Sequence, residues 1–251
     1  GWPNIRFEPN STLINRDLVF LMSISKKETF AEQLALLVAL PRQLINSLTI
    51  VIPYLGPATH ERVDFSGMLA TAEPILKILS SSLQSTKTGP PIVRIFDIHA
   101  LPISFYPTDN IVMKLMNAIH VLKEYIGRND FEKFQNRKPT IAFPDDGAYK
   151  RFKYYFEEFP MIVCSKIRNG SDRIITIKDM YNWPESEYLD KVYENVIIVD
   201  DLVQSGGTLK NCAICLRKAG FKKVYAYVTH AIFPNDSSTT FIEDPKILDE
   251  F

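Results

Sequence analysis

Apolar runs of strand length alternate with amphipathic runs of helical length along most of this chain. Residues 18–23 read LVFLMS and residues 91–100 read PIVRIFDIHA, as buried strands do, whereas residues 70–83 read ATAEPILKILSSSL, with apolar side chains at helical spacing. Such alternation is typical of a mainly parallel sheet flanked by helices. The pattern therefore predicts an α/β fold.

The same series repeats in the second half of the chain. TIAFPDDG, MIVCSKIR and NVIIVDD have the composition of strands, and AYKRFKYYFEEF and LKNCAICLRKAG that of helices. A polar and charged stretch separates the halves, between Asp109 and Pro139. Because 251 residues are enough for two small domains, we predict two α/β units, 1–115 and 116–251.

Charge and composition restrict the classes of partner. The 29 basic residues equal the 29 acidic ones, which gives no reason to expect nucleic acid or an anionic membrane surface. No apolar run approaches the roughly 18 residues of a transmembrane helix, so we expect no membrane span. Cys164, Cys212 and Cys215 form no disulfide framework and suit a reducing, intracellular compartment, with cytoplasm and organelle both open.

The most informative stretch is VIIVDDLVQSGGTL, residues 196–209. Its four leading apolar residues predict a strand buried on both faces. The residues after Thr208 show helical spacing up to Gly220, which is well placed as a C-cap. We therefore predict that Asp200 to Thr208 form a strand-to-helix loop at the carboxyl edge of a sheet, where doubly wound folds bind ligands.

The residue types of this loop indicate a ribose phosphate. Gly206 and Gly207 lack Cβ atoms, so the backbone can approach a ligand. The amides at the helix start, with the Ser205 and Thr208 hydroxyls, can hold a phosphate. Two adjacent carboxylates would repel that phosphate, so they should accept hydrogen bonds from sugar hydroxyls. The alternative is a strand end with solvated acids and an ordinary helix N-cap.

This stretch resembles the ribose-phosphate loop of type I phosphoribosyltransferases and of phosphoribosyl pyrophosphate (PRPP) synthetases. IFDIHA, FPDDGAYKRF, YVTHAIFP, ERVDFSGMLATA and GWPN each resemble a segment of the synthetases, and SGGTL and ERV are similar to the class II, plant-type members. A simple phosphoribosyltransferase would explain one half only. The resemblance implies two tandem phosphoribosyltransferase-like domains, nucleotide-side over 1–115 and ribose 5-phosphate-side over 116–251, the second expected to lack its last strands.

The resemblance also implies an activity. The family transfers diphosphate from ATP to ribose 5-phosphate, with Mg²⁺ as cofactor, and makes PRPP and AMP for nucleotide biosynthesis. It further implies a homo- or hetero-oligomer of family members. The alternative is a catalytically inactive, regulatory or scaffold subunit, because the usual Lys-Arg-Arg run is replaced by Lys178 followed by Asp179.

Individual residues acquire expected roles from the same resemblance. The residues expected to bind ribose 5-phosphate are Asp200, Asp201, Gln204, Ser205, Gly206, Gly207 and Thr208. Those expected to bind the nucleotide are His60, Glu61 and Arg62, those for the metal are His99 and Asp145, and the catalytic cations are Lys178, Lys166 and Arg168. Ordinary alternatives stand beside these roles, namely solvated surface side chains and, for Asp145, a helix N-cap.

Overall fold

The structure is a computed structural model, which describes residues 4, 6–7, 13–24, 27–60, 63, 65–128, 134, 138–169, 172–183, 194–239, 241 and 247–250. The chain divides into two compact units, Gly1–Asn117 and Ala118–Phe251. Each unit has a sheet of its own.

The first unit contains a four-stranded parallel sheet in the order β1-β2-β3-β4. Its elements in chain order are β1 (Asp17–Leu21), α1 (Lys27–Ala39), β2 (Ser47–Ile52), α2 (Ala72–Ser82), β3 (Ile92–Phe96) and β4 (Val112–Met116). α1 ends at Ala39 and is followed by a 3₁₀ segment, Leu40–Gln43, which contains Pro41. Proline has no N–H to continue the helix, which accounts for its end here.

One face of the first sheet carries the core of this unit. Ile50 of β2 and Val93 of β3 are fully buried, and Leu37 of α1 and Leu76 of α2 belong to the same apolar cluster. Both described helices therefore pack on that face. On the opposite face, Val19 of β1 is 74% exposed.

The second unit contains a five-stranded sheet in the order β7-β6-β5-β8-β9. Its elements in chain order are α3 (Ile119–Arg128), β5 (Thr140–Phe143), α4 (Asp146–Phe152), β6 (Met161–Asn169), β7 (Asp172–Tyr181), β8 (Asn195–Val203), α5 (Gly207–Lys218) and β9 (Lys223–Ala231). All neighbouring strands are parallel except β6 and β7, which form an antiparallel pair.

Helices cover both faces of the second sheet. Leu122 of α3 and Phe152 of α4 share one buried cluster with Ile197 of β8, whereas Leu216 of α5 shares another with Ile198. Neighbouring residues of β8 thus point into two cores, as the unbroken apolar run predicted. α5 ends at Lys218 with Ala219 as its C-cap, and Gly220, which was predicted as the C-cap, follows one residue later with φ = 107°.

The α/β class, with mainly parallel sheets flanked by helices, is confirmed. Two elements, β4 and α3, lie where the sequence indicated only a polar boundary. α4 is shorter than its sequence pattern suggested, since a 3₁₀ turn, Lys153–Tyr155, follows it. Phe152, Phe156 and Phe159 have helical spacing but reach one common cluster through separate turns. Among the described residues, no helix combines the length and the apolar character that crossing a membrane requires.

Candidate functional site

The loop predicted after the apolar run is shorter than expected, because β8 continues into it. Asp200 pairs with Val228 of β9, and the ladder runs on to Val203. Both aspartates therefore belong to the strand, which corrects the prediction of a loop from Asp200 onward. The turn begins at Gln204, and α5 begins at Gly207.

The two glycines of this turn differ in what they contribute. Gly206 has φ = 80°, and a Cβ atom there would lie 2.5 Å from the Phe241 ring, so the backbone and the packing both require glycine. For Gly207, the nearest atom that a Cβ would meet among the described residues is Ser205 Oγ, at 3.9 Å. Gly206 therefore makes the turn, and Gly207 leaves space at the start of α5.

The amino end of α5 is suited to an anion. Its N-cap is Gly206, which provides no side-chain cap, and the first N–H groups of a helix have no partner within the helix. These amides carry partial positive charge and point outward. Ser205 is exposed and Thr208 is partly buried in the same turn. These features are compatible with the predicted phosphate cradle, whose role stays a prediction.

The two aspartates of β8 have unlike surroundings. Asp201 is buried, and its Oδ2 accepts a hydrogen bond from Arg151 Nη1 at 2.6 Å. Asp200 Oδ1 accepts the backbone N–H of Asp201 at 2.9 Å. Burial raises the pKa of the Asp200 carboxyl well above its usual range, and the charge of Asp201 raises that pKa further. Asp201 is therefore the member of the pair that is matched with a cation, and Asp200 has the stronger tendency to hold a proton.

A second strand-to-helix turn lies at the same edge of the sheet, after β5. Asp145 is the N-cap of α4, and its Oδ1 accepts the N–H groups of Gly147 and Ala148 at 3.0 and 3.1 Å. Its Oδ2 lies 3.3 Å from Nζ of Lys166 on β6. The negative charge of Asp145 also raises the pKa of Asp200. The N-cap alternative is therefore present, and the two turns share one electrostatic environment.

Lys178 lies at an irregularity of the β6–β7 pair. The pairing register shifts between Val163 and Cys164 of β6 and leaves Lys178 as an extra residue, as in a β-bulge, which redirects a side chain. Its Nζ reaches the two carboxylate oxygens of Asp146 at 2.9 and 3.0 Å. This hydrogen bond raises the pKa of Lys178. The structure thus brings Lys178 and Lys166 to the start of α4.

The remaining predicted residues are His99, Arg168 and the three residues expected at the nucleotide. His99 belongs to the first unit, where it is exposed shortly after β3. The nearby Asp97 is buried with φ = 37°, a conformation that is uncommon outside glycine. Glu61 and Arg62 lie outside the described residues, as do the side chains of His60 and Arg168. The roles predicted for all of them stay predictions.

Arg151 is the residue that the sequence interpretation missed. It was one of several basic residues in an aromatic stretch. A signal was nevertheless present, because Arg151 follows the buried Ala148 by three residues and precedes the buried Phe152, which places it toward the sheet. A cation on the inner side of a helix needs an anion, and Asp201 is that anion.

A magnesium ion is the cofactor that the family resemblance implies. Within the described part of the chain, no group of three or more His, Cys, Asp or Glu side chains can hold a metal ion. Magnesium usually takes one or two carboxylates and completes its shell with water and substrate phosphates. Asp145, whose Oδ2 takes no part in the helix cap, fits such a partial set of ligands.

No family model matches the chain, but individual relatives do. It is 41% identical over 244 residues to ribose-phosphate pyrophosphokinase 3, chloroplastic, of Oryza sativa subsp. japonica, covering 97% of this chain and 56% of the relative. It is 40% identical over 244 residues to ribose-phosphate pyrophosphokinase 3, mitochondrial, of Spinacia oleracea, covering 97% and 57%. It is 40% identical over 242 residues to ribose-phosphate pyrophosphokinase 4 of the same rice, covering 96% and 70%.

This chain belongs to the ribose-phosphate pyrophosphokinase family. A solved structure supports the fold: phosphoribosylpyrophosphate synthetase from Mycobacterium smegmatis matches with a TM-score of 0.67 and 17% identity, over 93% of this chain and 71% of that one. The family resemblance read from the sequence, including its plant-type character, is confirmed. The chain spans little more than half of two relatives, at 56% and 57% of their lengths.

Proposed function

We propose that this ribose-phosphate pyrophosphokinase family member transfers the diphosphoryl group of ATP to the 1-hydroxyl of ribose 5-phosphate. The sugar oxygen attacks the β-phosphorus, its proton leaves, and the bond to the α-phosphate breaks, so that the products are PRPP and AMP. One observation carries the proposal, which is the turn between β8 and α5. There an uncapped helix start adjoins an acidic pair, of which Asp201 is buried and Asp200 partly buried.

Ribose 5-phosphate fits this turn in a definite orientation. Its phosphate would take the amides and hydroxyls of Ser205 to Thr208, next to Gln204 in the same turn. Its hydroxyls would face Asp200 and Asp201, since carboxylates accept strong, charge-assisted hydrogen bonds. The open space over Gly207 lets the phosphate approach the backbone closely. Sugar and phosphate thus meet groups of opposite electrostatic character, at the end of β8 and at the start of α5.

The transferred diphosphoryl group requires positive charge, because catalysis of phosphoryl transfer is mainly positioning and charge stabilisation. Lys166 and Lys178 are the catalytic cations we propose, together with Arg168. In the structure the two lysines contact Asp145 and Asp146 at 3.3 and 2.9 Å, and both lysine side chains are partly exposed. A polyphosphate can therefore compete for them without the opening of a buried pair.

Magnesium and nucleotide complete the proposed site. When bound, Mg²⁺ would neutralise charge on the phosphates of ATP, and Asp145 and His99 are the residues proposed to hold it. The nucleotide would lie on the first unit, with His60, Glu61 and Arg62 as its proposed contacts. The ribose 5-phosphate side would be the second unit.

The proposal extends to the cellular compartment and the oligomeric state of the protein. The three cysteines are free thiols, and two relatives are named as chloroplastic and mitochondrial proteins. Both facts support an intracellular, reducing compartment, either cytoplasm or organelle. We also propose a homo- or hetero-oligomer of family members, which light scattering on the purified protein would test.

The test of function is AMP formation from ATP and ribose 5-phosphate in the presence of Mg²⁺. We expect AMP only when both substrates are present, and none with a Gly207→Val variant. Binding of ribose 5-phosphate without AMP formation would favour the regulatory or scaffold subunit. The observation that supports this second candidate is the absence of the Lys-Arg-Arg run around Lys178. Absence of ribose 5-phosphate binding would contradict both.

A further inference from the structure

Arg151 is held in one orientation on the inner side of α4. Its side chain is 24% exposed, and Nη1 donates to Oδ2 of Asp201 on β8 at 2.6 Å. The guanidinium carbon also lies 6.0 Å from the ring centroid of Phe152, within the range of a cation–π contact. A carboxylate and an aromatic ring thus contact the same guanidinium.

Asp201 depends on such a partner. Its side chain is 9% exposed, and a carboxylate buried to that extent must be paired with a cation or take up a proton. A guanidinium is planar and permanently charged, so it fixes the direction of the oxygen that it binds. Arg151 therefore supplies a cation to the Asp201 carboxylate and fixes the direction of its Oδ2.

We propose that Arg151 is a positioning residue for the sugar, which keeps the Asp201 carboxylate ionised and oriented to accept a hydrogen bond from a ribose hydroxyl. This inference rests on the proposed function, in which the acidic pair of β8 binds the hydroxyls of ribose 5-phosphate. Arg151 does not itself touch the sugar or the reacting atoms. It acts through Asp201.

The neighbouring Asp200 explains why one member of the pair needs a cation. Burial and the adjacent charge of Asp201 raise the pKa of Asp200 well above its usual range. With Asp201 held ionised by Arg151, the pair contains one acceptor and one group with a tendency to hold a proton. Each ribose hydroxyl can donate and accept, so two neighbouring hydroxyls match an unlike pair better than two equal charges.

The test compares two ligands on one variant. Arg151→Gln should weaken ribose 5-phosphate roughly ten- to a hundredfold in a calorimetric titration, the range of a charge-assisted hydrogen bond. Inorganic phosphate, which needs only the cradle at Ser205 to Thr208, should change by less than about threefold because its site is independent of the pair. A merely structural role for Arg151 would weaken both ligands together. Equal losses, or no loss for ribose 5-phosphate, would overturn the proposal.

Two further variants separate positioning from folding. Arg151→Lys keeps the charge but not the planar fork, so it should recover part of the lost affinity. The double variant Arg151→Gln, Asp201→Asn removes both charges of the buried pair and should regain thermal stability relative to Arg151→Gln alone. Its affinity for ribose 5-phosphate should equal that of Asp201→Asn within about twofold, because coupled residues are not additive. Losses that multiply in the double variant would show independent roles and contradict the proposal.

Arg217 provides the matched control. It also donates to an aspartate, Asp249, and its side chain is 26% exposed, but it lies in the last turn of α5, about 15 Å along the helix from the cradle. Arg217→Gln should leave ribose 5-phosphate affinity unchanged. An equal loss in this variant would assign the effect of Arg151→Gln to general destabilisation. If the unmodified protein bound phosphate but no ribose 5-phosphate, the proposed function itself would fail, which is distinct from a failure confined to the Arg151 variants.

Discussion

Two strand-to-helix turns of the second unit carry the same dipeptide and use it differently. After β5, Asp145 and Asp146 stand at the start of the helix, and Asp145 caps α4 with its own side chain. After β8, Asp200 and Asp201 remain in the strand, and α5 begins later behind a glycine N-cap. The same dipeptide thus caps a helix in one turn and lies at the carboxyl end of a strand in the other.

The comparison shows that register relative to the helix start determines the role of an acidic pair. A carboxylate at the N-cap is stabilised locally by two amide N–H groups. A carboxylate inside a buried strand needs a distant cation, which is Arg151 for Asp201. Because the second pair does not cap its helix, the amides at the start of α5 stay available for a ligand. The first turn therefore stabilises the fold, and the second is the better candidate for binding.

The largest expected effect concerns the open helix start. Gly207→Val should weaken phosphate and ribose 5-phosphate by roughly a hundredfold or more, since its side chain would fill the space that the ligand needs. The melting temperature should change little, because a Cβ there meets Ser205 Oγ only at 3.9 Å. Gly147→Ala in the first turn is the control, and its phosphate affinity should be unchanged. Calorimetry showing unchanged affinity for Gly207→Val would remove the proposed cradle.

The next largest effect concerns Asp201 and Asp146, the second members of the two acidic pairs, whose substitution should affect ribose 5-phosphate affinity differently. Asp201→Asn should weaken ribose 5-phosphate roughly ten- to a hundredfold, about 1.4 to 2.8 kcal/mol. Asp146→Asn should leave that affinity unchanged, since Asp146 is half-exposed and pairs with Lys178. The control ligand is 2-deoxyribose 5-phosphate, which should bind the unmodified protein weakly and lose less in Asp201→Asn. Equal losses for both sugars would show that Asp201 does not contact the missing hydroxyl.

Asp200 should reveal a conflict between stability and binding. Its pKa is raised in the folded protein, so the folded state holds this proton more tightly than the unfolded state. Below the pKa of this carboxyl in the unfolded chain, roughly 3.9, Asp200 is protonated in both states, so its burial does not lower the free energy of unfolding. Stability is lost as the pH rises from that value through the raised folded pKa.

Asp200→Asn should therefore be more stable than the unmodified protein at neutral pH while binding ribose 5-phosphate more weakly. The difference in melting temperature between the two proteins should shrink as the pH falls toward 4. Thermal unfolding at a series of pH values measures it. A difference that does not vary with pH would show that the Asp200 carboxyl is not destabilised by burial.

The smallest effect belongs to the helix cap of the first turn. Asp145→Ala should lower the free energy of unfolding by about 1 kcal/mol, the usual loss for an N-cap. Asp145→Asn should keep most of that stability, because asparagine caps as well as aspartate. Urea unfolding distinguishes the two variants. An equal loss of stability in both variants would show that the ion pair with Lys166 contributes more than the helix cap. We expect the opposite, because an ion pair this exposed contributes at most about 1 kcal/mol.

The contrast between the two turns could be read only partly from the sequence. The apolar run before Asp200, the glycines and the helical spacing after them depend on neighbouring residues, and the strand and the helix were predicted correctly from them. The end of β8 was not, because its last pairs form with β9, more than twenty residues later in the chain. Asp200 and Asp201 consequently appeared to be loop residues. Likewise, α3 was missed although Ile119, Leu122 and Ile126 recur at helical spacing and pack into one core, because the charged residues around them were interpreted as a boundary.

The amino-acid sequence by itself determined the α/β class, the repetition of two units, the family and the glycine turn between β8 and α5, because each depends on local spacing and residue type. Tertiary structure alone decided how the charges are paired. Arg151 and Asp201 are separated by 50 positions, and Lys178 reaches Asp146 because the β6–β7 register shifts beside it. No local pattern encodes which cation meets which carboxylate, since that choice follows from the order of strands in the sheet and the direction in which each helix returns across it.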